Sequence, residues 1–151
     1  MYTGLLHAHS GLRYIVIALL LVAIGQAFVG WFGTDKHFTE GNRKIALFAL
    51  ISVHVQLIIG LVLYFISPVV ESALSDMSAA MKDPVLRFWA VEHISTMIIG
   101  IVLITIGYST AKRAVTDKAK FTRIALFYLV GFVLIVSMIP WPWSRVARGW
   151  F

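Results

Sequence analysis

An all-α, four-span antiparallel membrane bundle is the fold this sequence predicts, on three observations. The 151 residues are 60% apolar and only 13% charged, against about 45–50% and about 25% in ordinary soluble domains. Mean hydropathy is +0.87. Four apolar runs each approach the ~20 residues that cross a hydrocarbon core of ~30 Å. A soluble domain of this length has nowhere to hide so much apolar surface, whereas a bilayer solvates it. The length suits one compact bundle, so 1–151 is read as a single transmembrane domain.

Span 1 is expected over about 5–31, with Arg13 and Tyr14 near one interface and Trp31 and Phe32 at the other. The N-terminal run is longer than a signal-peptide core and no small-residue cleavage site follows it, so it reads as a retained span. The loop GTDKHFTEGNR carries turn and charge chemistry. Span 2 is expected over about 44–67, stopped by Pro68. Residues 69–83 place Leu74, Met77 and Met81 at helix-like spacing, the pattern of a short interfacial helix. Pro84 opens span 3, about 85–110. After the basic linker AKRAVTDKAK, span 4 runs over about 121–139 and ends at Pro140. The tail WPWSRVARGWF alternates tryptophan with arginine, as interfacial anchors do.

Charge sets orientation rather than partner. The net charge of +6 sits in short loops flanking apolar spans, so it is no nucleic-acid signal. Loops 1–2 and 3–4 hold eight lysines and arginines (Lys36, Arg43, Lys44, Lys112, Arg113, Lys118, Lys120, Arg123), and the opposite side holds five (Arg13, Lys82, Arg87, Arg145, Arg148). The positive-inside rule then puts both termini on the periplasmic side of a bacterial inner membrane.

Histidines carry the chemistry. An imidazole in hydrocarbon is costly, which makes an intramembrane histidine a functional candidate. There is no cysteine, which excludes disulfides, iron–sulfur clusters and thioether-linked haem. A haem here is held non-covalently, by histidine, methionine or tyrosine. A helix rises ~1.5 Å per residue. His93, six residues past Arg87, therefore lies roughly 9 Å below the outer end of span 3. His9 is at the outer edge of span 1, with His7 half a turn beyond. His54 lies about 15 Å up span 2 from the inner side, near mid-membrane. His37 is in an inner loop.

Two ligands of one haem need similar depth on facing helices. His93 with His9 or His7 fits best, and His93 with His54 fits if span 2 is tilted. His9 and His7 point about 200° apart on a helix, so helix rotation decides between them. Span 4 has no histidine, which favours one haem over two. Arg13, one turn after His9, suits haem propionates. Trp89 and Met97 share the face of His93 and could wall a pocket. Gly25, Gly60 and Gly100 would let a macrocycle or a neighbouring backbone approach. Gln56 and Glu92 are the other conspicuous polar groups, and Glu92 is placed to orient a ligating ring or to pair with Arg13.

Blander roles compete. A membrane histidine also serves as a plain interhelical hydrogen-bond partner, worth about 0.6–2 kcal/mol. Arg13 can simply snorkel, and glycines commonly serve helix packing alone. No metal-specific motif, nucleophile–base constellation or phosphate-binding loop is present.

Taken together, YTGLLHAHSGLRY, SVHVQLIIGLVLYFISP, WAVEHISTMIIGIVLITIG and IPWPW resemble a family of small four-span bacterial proteins labelled cytochrome b-like, over nearly the whole chain. A more distant similarity is to one four-helix half of haem A synthase, with His9 and Arg13, Gln56 and Gly60, and His93 in comparable positions. Here three residues separate His9 from Arg13, where that family has an adjacent pair. There is also one bundle rather than two, and no cysteine pair. The resemblance therefore implies a haem-binding scaffold.

The reading expected from the sequence is a b-type cytochrome. Haem b is held by His9 and His93 as axial ligands, with His54 and His7 as alternatives and Arg13 at the propionates. The protein would carry electrons for a quinone or respiratory complex, alone or as a homo-oligomer. The alternatives are a cofactor-free structural or assembly subunit, and a zinc, copper or proton site in a membrane enzyme or transporter.

Overall fold

The structure is a computed structural model that describes residues 1–144 and Val146. Helices dominate it and no strand is present among the described residues. Four helical rods are long and apolar enough to cross a membrane, which makes this a multi-pass membrane protein: Tyr2–Phe32, Glu40–Ile66, Pro84–Lys112 and Asp117–Ser137.

The first rod is α1 (Tyr2–Phe32) and the second α2 (Glu40–Ile66). Helix α2 starts four residues before the expected 44 because Thr39 caps it. The Thr39 hydroxyl accepts from the Asn42 amide at 3.2 Å, and the Asn42 side chain accepts from the Thr39 amide at 3.0 Å. This reciprocal pair satisfies two donors that a helix start leaves orphaned. Pro68 ends α2 and opens α3 (Pro68–Ser75), and α4 (Met77–Ala80) follows. The expected interfacial helix over 69–83 is thus two short helices, broken where the Asp76 carboxylate caps Ala79 at 3.0 Å.

The third rod is composite. Helix α5 (Pro84–Arg87) is capped by Asp83, a π turn covers Phe88–Glu92, and α6 runs over His93–Lys112. Helix α7 (Asp117–Ser137) is capped by the Thr116 hydroxyl, so it too begins before the expected 121. It stops at Ser137 rather than 139. The residue before a proline avoids the helical conformation, and Pro140 makes itself felt over the preceding two residues.

Around the bundle the order is α1, α2, α6, α7, back to α1. Helices α1 and α6 therefore face each other diagonally. The seam between α6 and α7 is the tightest, and that between α2 and α6 the loosest of the four. Gly100 and Gly131 make the tight seam possible: a Cβ on Gly131 would lie 2.7 Å from the Gly100 carbonyl oxygen. Small residues allow such backbone approach in membranes.

The solid core sits towards the end that holds the α1–α2 and α6–α7 loops. Leu20, Ala49, Ile104, Ala125 and Tyr128 are fully buried there. The Tyr128 hydroxyl donates to the Ala46 carbonyl at 2.8 Å across the bundle, and the Asn42 amide donates to Gln26 at 3.0 Å. Large apolar side chains such as Phe48, Ile58 and Phe65 face outward, as lipid solvation permits. At the other end, where α1 begins, the bundle is hollow.

Candidate functional site: a histidine-lined cavity

The hollow end encloses about 140 Å³, bounded by all four rods. Helix α1 contributes His9, Ser10 and Arg13; α2 contributes Gln56, Gly60 and Tyr64; the third rod contributes Trp89, His93 and Met97; and Ile139 and Pro140 close it beyond α7. Helices α1 and α6 are diagonal, and His9 from one and His93 from the other both line this cavity.

His93 opens α6 directly after the π turn, and its amide bonds back five residues to the Phe88 carbonyl. A π turn inserts one residue and rotates everything beyond it relative to an unbroken α-helix; such turns concentrate at functional sites. The turn also leaves the Ala90 carbonyl to the Tyr64 hydroxyl, which donates to it at 2.9 Å and ties α2 to the third rod. Phe88 and Trp89 pack their rings against the His93 ring, each centroid 5.7 Å away.

The His93 Nδ1 lies 2.9 Å from the Met138 carbonyl oxygen. A carbonyl only accepts, so the proton is on Nδ1 and Nε2 carries the free lone pair. The Met138 carbonyl is free because α7 ends ahead of Pro140, and the last carbonyls of a helix have no partner within it.

His9 is held differently. Its backbone carbonyl accepts from the Gln56 side-chain amide at 2.7 Å. Its ring lies against Gly60, where a Cβ would stand 3.0 Å from the ring's Cε1. Both the His9 Nδ1 and the Gln56 Oε1 are buried without a hydrogen-bond partner. Arg13 is buried one turn below, its guanidinium donating to the Tyr14 hydroxyl at 3.0 Å and lying over that ring.

Of the histidines singled out from sequence, the cavity brings together His9 and His93. His7 is exposed on the far face of α1. His54 turns its Nδ1 to the Leu50 carbonyl of its own helix at 2.8 Å and does not line the cavity. His37 lies at the loop end, 3.3 Å from Asp117. Glu92, expected beside a ligating ring or Arg13, instead pairs with Arg87 at 2.6 Å, five residues back. The π turn permits this, because five residues there make about one turn. Trp89 and Met97 line the cavity. Gly60 and Gly100 are close-approach positions, but Gly25 has open space where a side chain would be. Of the tail, Trp141 and Trp143 stack at 5.3 Å, while Arg145 and Arg148 lie outside the described residues.

Three features escaped the sequence: the π turn, the Met138 carbonyl and the Tyr64 tie. Only Pro140 signalled any of them, by freeing carbonyls just before it. Among the described residues no three histidine, aspartate or glutamate side chains converge as a metal cage. Comparison with family models, curated proteins and solved structures finds no match. The cytochrome b-like resemblance gains no support there.

Proposed function

We propose that this protein is a membrane b-type cytochrome holding one haem b between His9 and His93, at the end of the bundle where α1 begins. The observation that carries the reading is that two histidines from diagonal helices line one cavity, one with its Nδ1 turned to a carbonyl so that Nε2 carries the lone pair. Structural zinc is almost always four-coordinate, and two histidines fall short of that. A porphyrin supplies four nitrogens of its own and asks the protein for only two.

The donor set suits the group, but the cavity is smaller than a macrocycle as it stands. Gly60 removes a side chain from beside His9. Arg13 offers a guanidinium to carboxylates. The enclosed space is close to that of an engineered cavity of ~150 Å³ that takes benzene. A macrocycle therefore needs Leu57, Leu61 and Met97, the apolar walls from α2 and α6, to repack at the loosest seam. Methionine's unbranched chain suits that.

Bound haem supplies one-electron redox chemistry. The chain's residues would orient it and exclude water through apolar walls, with His9 and His93 as the residues that would hold it. That arrangement leaves no site open for substrate and suits electron transfer. The positive-inside count supports an inner-membrane location with the cavity on the periplasmic side. The partners fitted to it are a membrane quinone or dehydrogenase and an outer acceptor, with this chain acting alone, as a homo-oligomer or within a respiratory complex. A second reading is favoured by the His93–Met138 bond: an interhelical tie in a cofactor-free subunit.

A reduced-minus-oxidised spectrum of purified protein, with iron, zinc and copper measured on the same sample, tests this. Sharp α and β bands with one iron per chain are expected. A colourless, fully folded preparation would establish the second reading, and stoichiometric zinc or copper without iron would refute both.

A further inference from the structure

The geometry points to a binding site for the phosphate diester of an anionic phospholipid on the α6–α7 seam, at the loop end of the bundle, held by Arg113 and Arg123. The site is at the opposite end from the cavity and does not depend on what the cavity holds. The Arg123 guanidinium donates from Nη1 to the Thr110 carbonyl at 2.6 Å. The Arg113 backbone amide donates to the same carbonyl at 3.2 Å. Two arginines from neighbouring helices thus meet at one oxygen, one through its side chain and the other through its main chain. Like charges placed side by side repel unless an anion joins them. Glu40 pairs with Arg43, and Asp117 with Lys120 and His37. Among the described residues no carboxylate pairs with Arg113 or Arg123.

Depth and surroundings select the anion. Helix α6 turns polar over 109–113, and α7 turns apolar from 124. Both arginines therefore stand at the edge of the hydrocarbon, the level of lipid headgroups. Steps of three and four residues keep to one face of a helix. From Arg113 they lead through Thr110 to Ile106 and Val102, and from Arg123 to Leu126 and Val130. These four apolar side chains are exposed, and both stripes descend into the membrane from the arginines. Charge above and apolar surface below match a phosphate with its acyl chains, and basic pockets between membrane helices are known to take such headgroups. Guanidinium groups bind phosphate oxygens through paired N–H donors. The Arg123 bond to Thr110 occupies Nη1, which leaves Nε and Nη2 as donors for the ligand.

The test is binding of phosphatidylglycerol to the full-length protein in detergent, read by native mass spectrometry against phosphatidylethanolamine with the same acyl chains. Wild type should bind phosphatidylglycerol more tightly. Arg113→Gln should weaken that binding about fivefold, and Arg113→Gln combined with Arg123→Gln about thirtyfold. Lys44→Gln removes one exposed charge from α2 at the same end, away from the seam, and should leave binding unchanged. Arg113→Gln keeps the main-chain contact with Thr110, so it decides alone if the double variant fails to fold. Equal binding of the two lipids, or wild-type affinity in Arg113→Gln, overturns the proposal. A loss in Lys44→Gln equal to that in Arg113→Gln overturns it as well, since it would mark general attraction to a basic end. So does displacement of the lipid by inorganic phosphate at the same concentration, which would make this a site for the free ion.

Discussion

His93 shows how a single residue acquires a role from its neighbours. Its Nδ1 faces a carbonyl, its ring is flanked by Phe88 and Trp89, and its Nε2 carries the lone pair. His9 shares the cavity, whereas His7 is exposed and His54 is turned to its own helix. Replacement of His93 or His9 by alanine should therefore abolish haem retention, while His7→Ala, His54→Ala and His37→Ala should each keep the wild-type Soret absorbance per chain. Retention in the His93 variant would refute the ligand assignment. The pair was partly legible beforehand, because helix rise alone levels His9 with His93. The choice of His9 over His7 was not, since it depends on the rotation of α1. Nor was the Met138 acceptor, because a backbone carbonyl has no residue signature.

Elements were legible where chemistry punctuates the chain. Apolar runs and Pro68, Pro84 and Pro140 bracket the rods close to where they lie. The starts of α2 and α7 were misjudged because hydropathy ignores capping: Thr39 and Thr116 begin helices inside polar sequence. The π turn was invisible because nothing in FWAVE disfavours an ordinary helix. Two substitutions probe this scale. Gly131→Ala places a methyl against the Gly100 carbonyl; the tight seam between α6 and α7 should open, costing about 1–3 kcal/mol in detergent unfolding. Tyr64→Phe leaves the Ala90 carbonyl without its donor and should cost about 0.6–2 kcal/mol by the same assay. Wild-type stability in both variants would mean that these ties contribute nothing.

At the scale of the whole molecule, a solid end and a hollow end divide one bundle. Alanines and a buried tyrosine fill the first, and two histidines line the second. The excess of lysine and arginine at the α1–α2 and α6–α7 loop end predicts that this end faces the cytoplasm. The chain has no cysteine, so single cysteines can report topology without background. A cysteine at Thr3 should react with an impermeant maleimide in intact cells, and one at Lys36 only after permeabilisation. The reverse pattern would place the cavity on the cytoplasmic side and change which partners can reach it.

The most direct test of the whole account is the electron paramagnetic resonance spectrum of the oxidised, full-length protein, with spins counted per chain. Two imidazoles on one iron predict a low-spin ferric signal approaching one spin per chain, lost in His9→Ala and in His93→Ala. A high-spin signal in wild type, or no iron signal from a folded preparation, would contradict the claim that these two rings share a haem.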